Sequence, residues 1–242
     1  MPDQYDIGTV YRLTDYREVK INCLHDWNIS PQDAIAVQHD LCKKLVLHDT
    51  LKEIRHVAGV DVGFENEGKI TRAAVVILDF PSLLVKEVCI GNCRTTFPYI
   101  PGLLSFRELP AVLKAVEKIK LIPDMFLCDG QGYAHPRRFG IACHLGVITD
   151  IPSLGVGKTR LIGQNKPVSN IKGAWQPLMD KEECIGAVLR TRQNVKPVYI
   201  SVGHRISLET AIKIVMQCTT RFKLPETTRW AHKYASNTLK LA

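Results

Sequence analysis

The spacing of apolar residues changes repeatedly along the chain and outlines its elements. Residues 1–28 show no clear period and read as an N-terminal extension of unassigned role. From Ser30 the pattern becomes helical. Ser30, Pro31 and Asp33 supply a cap, a proline at the first position and an acid near the positive dipole end, and Ala34, Val37, Leu41 and Leu45 follow at helical spacing. At Val57 the period shortens. VAGVDVGF and TRAAVVILDF read as two strands joined by a turn at residues 65–68, and the second is apolar on both faces, as in the middle of a covered sheet. Beyond them the pattern predicts a helix carrying Val112, Leu113, Val116 and Ile119, a buried strand MFLC ending at Asp129, and a helix over HPRRFGIACHLGVITD. Strands IPSLGV, CIGAVLR and VYISVG come next, then a helix capped by Ser207 and a last helix through TRWAHKYAS. Strand pairs followed by strands alternating with helices predict an α/β fold, a mixed central sheet covered by helices on both faces, in one domain over residues 29–242.

Composition narrows the partners. Of 242 residues, 45% are apolar, enough for one core, and 32 Lys plus Arg against 24 Asp plus Glu leave a net charge of +8 that favours a polyanion such as nucleic acid. No apolar run approaches the length of a membrane span, and the start MPDQYDIG lacks the basic and apolar regions of an export signal. A cytoplasmic monomer is expected. The eight cysteines are scattered without a C-x-x-C pair or zinc spacing, so most read as reduced, buried small hydrophobes.

Three acids stand where burial is costly. Asp61 interrupts the apolar strand VAGVDVGF, on the face shared by Gly59 and Gly63, where open space is expected beside it. It is either a metal ligand or a satisfied buried acid. Asp129 ends a second apolar strand and is followed by Gly130 and Gly132, which let backbone or substrate come close or simply form an Asp-Gly turn. Glu108 has capping-box spacing from Ser105, although Pro110 disfavours a helix that begins so early. Together the three would form an oxygen-rich site suited to Mg²⁺, with Mn²⁺ as substitute, and to phosphodiester hydrolysis.

Other residues suit a phosphate or a base. His135, Arg137 and Arg138 lie near a predicted helix start that could hold a phosphate. GVGKT is not a P-loop, because Pro152 stands where its first glycine is required, but Lys158 remains a candidate phosphate contact. Pro98, Tyr99, Ile100 and Pro101 make a stiff apolar segment, readable as packed turn or as a wedge entering a base stack.

In order and spacing, VAGVDVGF, TTFPYIPGLLSFRELP, DGQGYAHPRRFGIACHLG, PSLGVGKTRLIG, PLMD, SVGHRISLETA and LPETTRWAH resemble the endonuclease V family over residues 28–234. The resemblance implies a ribonuclease H-like fold. It implies metal-binding carboxylates at Asp61, Glu108 and Asp129, a further group near the metal at His232, a wedge at Tyr99, an active-site loop histidine at His135 and a phosphate-facing Lys158. The implied reaction is hydrolysis of the second phosphodiester bond 3′ to deoxyinosine, leaving 3′-hydroxyl and 5′-phosphate ends, with inosine in RNA as the alternative strand. Hypoxanthine pairs weakly, which lowers the cost of extruding it. Gly91, Gly130, Gly132 and Gly157 are candidates to line its pocket. Gly157 stands where the family is expected to carry alanine, and residues 1–28 exceed the usual start. The rival readings are another ribonuclease H-like nuclease, of junction-resolvase type, and a catalytically silent nucleic-acid-binding module.

Overall fold

A computed structural model describes residues 18–50 and 53–237 of the chain. Helix α1 (Pro31–Cys42) starts as its sequence predicts, with Ser30 Oγ accepting from the Asp33 N–H at 3.2 Å. Strands β1 (His56–Glu65) and β2 (Ile70–Asp79) pair antiparallel over their full length, and Asn66, Glu67 and Gly68 turn between them at positive φ. Strand β3 (Val85–Arg94) extends the hairpin, followed by α2 (Leu104–Val116), β4 (Met125–Asp129), α3 (Ile141–Thr149) and β5 (Ser153–Gly157). Strands β6 (Trp175–Asp180), β7 (Glu183–Leu189) and β8 (Val198–His204) precede helices α4 (Leu208–Gln217) and α5 (Glu226–Ala235).

The eight strands form one sheet in the order β3-β2-β1-β4-β5-β8-β7-β6, parallel where β4 meets β1 and β5 and antiparallel elsewhere. Alternation sorts its side chains. Val57, Met125, Leu127 and Leu154 face the layer of α4 and α5, while Ala58, Val60, Phe126 and Cys128 face α2 and α3. Helices therefore cover both faces, as the pattern predicts. The apolar pattern does not disclose β3 and β6, because both are edge strands: Lys86, Glu87 and Asn92 interrupt one, and Pro177 sits in the other.

Two helices differ from expectation. α2 begins at Leu104 despite Pro110 inside it, and its N-cap Leu103 makes no side-chain bond, so Ser105 and Glu108 are not a capping box. Burial of Leu109, Val112 and Val116 against the sheet offsets the hydrogen bond that Pro110 cannot donate. α3 is shorter than predicted. Residues 131–140 are loop, with Arg138 at φ 56°, held by the side-chain bonds described below.

The extension is not detached where it is described. Val19, Ile21, Leu24 and Trp27 pack on the α2 and α3 layer, and Asn22 donates its backbone and side-chain N–H groups to the Ile148 carbonyl at 2.9 and 3.0 Å. Residues 1–17 lie outside the described residues. No described helix is long and apolar enough to cross a membrane. All eight cysteines are free, with Cys89, Cys128, Cys143 and Cys218 buried and Cys23 and Cys184 exposed.

The space expected beside Asp61 is filled. A Cβ at Gly59 would collide with the Thr227 carbonyl, and one at Gly63 with the Ala235 carbonyl, so the bare backbone of β1 seats α5 at both its ends. Replacing Gly59→Ala must push that helix away. We expect a loss of about 3 kcal/mol in urea unfolding, as for an overpacked core position; an unchanged midpoint would show that α5 docks without this contact.

Candidate active site

The parallel pairing of β1 and β4 aligns Val60 with Cys128, so the next residues, Asp61 and Asp129, stand side by side on the α5 face. Their side chains are only 11% and 12% exposed. α5, seated on Gly59 and Gly63, brings His232 to the same point, with Nδ1 2.7 Å from Asp61 Oδ2. One ligand atom from each of Asp61, Asp129 and His232 lies within 4.8 Å of the others. At that distance two carboxylate charges repel by roughly 3 kcal/mol for an effective dielectric near 20.

The surroundings record that repulsion. Burial, then the neighbouring Asp129, raises the Asp61 pKa against the opposing Val62 N–H, His232 and Lys158. Lys158, just past the end of β5, is ion-paired with Asp129. Burial works against its charge, but Asp129 and Asp61 hold its pKa above the usual value. Glu108, on α2, stands behind the pair. Burial, then the charges of Asp61 and Asp129, push it up to about 8, so it is protonated at neutral pH without a cation. The compact ligand group is thus two aspartates and a histidine, with Glu108 close enough to feel both acids. Oxygen donors with one imidazole fit a hard divalent ion.

A cleft of about 360 Å³ opens beside the acids, lined by Tyr99, Gly102, Ser105, Glu108, Asp129 and Gly130 among others. Tyr99 is 69% exposed at its mouth, while Ile100 packs towards α1. The segment containing them, residues 98–102, is clamped from behind. The Gly102 carbonyl accepts from Gln38 Nε2 and His135 Nε2 at 3.0 Å each and from Arg137 Nη2 at 2.6 Å. His135 Nδ1 accepts from the Arg137 N–H, and burial, followed by Arg137, lowers its pKa to about 4. A neutral ring is what this clamp needs.

His135, Arg137 and Arg138 do not stand at a helix start, because α3 begins only at Ile141. His135 is buried, Arg137 is bonded to Gln38 and Gly102, and Arg138 is paired with Asp180 and Glu183. Among the glycines, Gly130 (φ 149°) and Gly157 line the cleft, and a Cβ at either would strike Ile141 or Gln131. Gly132 instead packs on β8, giving its N–H to Ser201 Oγ, and Gly91 seats α2 on the far side of the sheet. Sequence reasoning missed Gln38, Ser105 and Gln131. Gln38 carried a signal, a polar residue on the stripe of Ala34 and Leu41 that α1 buries.

Comparison with known proteins places this geometry. Residues 39–233 match the family model for Endonuclease V. A curated Endonuclease V of Rippkaea orientalis is 55% identical over 219 residues, covering 90% of this chain and 96% of its own. The crystal structure of the Endonuclease V of Streptomyces avermitilis superposes with a TM-score of 0.84 at 37% identity, covering 92% of this chain and 97% of that one. That of Ciona intestinalis, in complex with a 23mer DNA containing an inosine followed by a ribo-adenosine, does so at 0.75 and 28%, covering 87% and 98%.

The state of Glu108 can be tested by stability. Its pKa is raised in the fold, from near 4.5 to about 8, so its contribution is full below the unfolded value and is lost as pH rises through about 8. In chelator, the native chain should lose a few kcal/mol between pH 5 and pH 9 that Glu108→Gln retains. Parallel pH profiles in urea titrations would show that Glu108 ionises freely.

Proposed function

The chain belongs to the endonuclease V family, and from that premise we propose that it is a metal-dependent, ribonuclease H-like endonuclease acting on inosine-containing DNA. The observation that carries the reading is the meeting of Asp61, Asp129 and His232 beside a cleft of about 360 Å³ that Asp129 also lines. On this reading the scissile bond is the second phosphodiester 3′ to deoxyinosine. Because the DNA bound by the Ciona relative carries a ribo-adenosine after the inosine, inosine-containing RNA is the second reading, and matched cleavage of the two strands separates them.

We assign Mg²⁺, with Mn²⁺ as substitute, to Asp61 and Asp129, with Glu108 and His232 completing the site. Such an ion supplies a polarised phosphate and a water of lowered pKa. The side chains divide the remaining work. Ionised Asp61 accepts from His232 Nδ1–H, which leaves Nε2 with a lone pair. Lys158, just past the end of β5 and paired with Asp129, would face a phosphate oxygen of the bound strand. Tyr99 fills the gap left in the base stack, and the Gly102 clamp keeps it aimed. Gly130 and Gly157 let the base approach the backbone. The net charge of +8 suits a nucleic-acid partner, on which we take the chain to act as a monomer in the cytoplasm.

Asp129→Asn should abolish cleavage of an inosine-containing duplex in Mg²⁺ while leaving the melting temperature within a few degrees of the parent or above it. Unfolding, or cutting at the parental rate, would make Asp129 a structural acid. Ca²⁺ is expected to support binding without cleavage, because its looser coordination misplaces the attacking water. Robust turnover in chelator contradicts the metal assignment.

Tyr99→Ala should weaken binding to inosine-containing duplex by roughly ten- to a hundredfold, with a smaller loss on single strands and little change in melting temperature. Equal losses on both substrates would make Tyr99 ordinary surface.

A further inference from the structure

Two histidines that the mechanism does not use form a hydrogen-bonded chain ending in the cleft. His25 Nδ1 lies 2.7 Å from the Asp26 carbonyl, and its Nε2 lies 2.8 Å from Nε2 of His144. His144 Nδ1 lies 3.0 Å from Ser105 Oγ. Ser105 lines the cleft one helical turn before Glu108.

The chain has a direction. A carbonyl can only accept, so His25 Nδ1 carries hydrogen, and in the neutral ring its Nε2 is then an acceptor. His144 must supply the proton between the two rings from its own Nε2, which leaves its Nδ1 as an acceptor. Ser105 therefore points its hydroxyl hydrogen at His144 and is left with oxygen lone pairs for anything in the cleft. The rings cannot easily reorient. His144 is fully buried, and Trp27 stacks on it at 5.5 Å, with Phe106 and Phe139 at 5.1 and 5.2 Å. Burial holds it neutral, its pKa well below the ordinary value.

A fixed acceptor discriminates among purines by the edge they present. Hypoxanthine carries a hydrogen on N1, whereas adenine offers a bare N1 lone pair beside its amino group. We propose that Ser105 is a specificity-determining residue that accepts the N1–H of the extruded hypoxanthine, and that His144 and His25 are positioning residues that keep it an acceptor. Adenine would place lone pair against lone pair there. Guanine shares the N1–H, so its exclusion must come from elsewhere. The packed segment around His25 thereby acquires a role: it sets the hydrogen-bond polarity of the base pocket from outside it. This inference rests on the inosine-specific reading above.

The test measures binding in Ca²⁺ to otherwise identical duplexes carrying deoxyinosine or deoxynebularine, the purine that lacks both the N1 hydrogen and O6. The parent should prefer deoxyinosine. Ser105→Ala should weaken deoxyinosine binding by about tenfold, the worth of one buried hydrogen bond, and leave deoxynebularine binding unchanged. His25→Phe keeps the ring packing but removes the acceptor, and should reduce the preference by about threefold, measured well below the melting temperature that the unpaired His144 N–H lowers. A preference that survives Ser105→Ala, or equal losses on both duplexes, overturns the assignment of Ser105. An unchanged preference in His25→Phe overturns the relay. A parent that binds inosine-containing and undamaged duplex alike would instead overturn the proposed function.

Discussion

The structure is organised around mutual repulsion of carboxylates held in a poorly solvated place. Asp61, inside β1, and Asp129, at the end of the adjacent parallel β4, stand on one face of the sheet, and Glu108 approaches from the helix layer on the other. None of the three can shed its charge into bulk water, so the fold answers locally. His232 bonds to one aspartate, Lys158 pairs with the other, and Glu108 keeps its proton. A divalent cation relieves all three constraints at once, which is why the site reads as a metal centre rather than as a set of structural acids. Much of the surrounding backbone exists to hold this arrangement. Gly59 and Gly63 let α5 lie close enough to deliver His232, and Gly91 does the same for α2 and hence for Glu108.

The second organising feature is the joining of the cleft to the acids by α2. Residues 98–102 lead directly into that helix, Ser105 and Glu108 lie one turn apart on it, and both line the cleft. Three donors converge on the Gly102 carbonyl, so Tyr99 projects from a fixed base rather than from a loose loop. On the proposed reading, a base drawn into the cleft would sit in register with the acids, the kind of pre-set alignment from which much of the rate in hydrolytic sites derives.

Much of this was legible in the sequence, for physical reasons. Buried strands and amphipathic helices announce themselves through period, and an acid inside an apolar strand, as at Asp61, signals that something must offset its burial. The edge strands β3 and β6 did not, since half their hydrogen-bonding groups and one flank face away from the sheet. The start of α3 was not legible because Pro136 suits a first helical position as well as a loop, and the tertiary bonds to Gly102, Asp180 and Glu183 that favour the loop leave no mark on the local pattern. The glycines beside Asp61 suggested open space, but a missing Cβ equally suits a close helix, and local pattern cannot choose between the two. The His25, His144 and Ser105 chain joins residues 119 and 39 positions apart, beyond the reach of any local pattern.

Proton-coupled metal binding examines the central claim most directly. Calorimetric titration of the full chain with Mn²⁺, in buffers of different ionisation enthalpy, counts the protons released as the ion enters. With Glu108 held near 8, the account predicts release of close to one proton per bound ion at pH 7 and almost none well above pH 8. Tight binding with no proton released at either pH, or no binding at all, would contradict it.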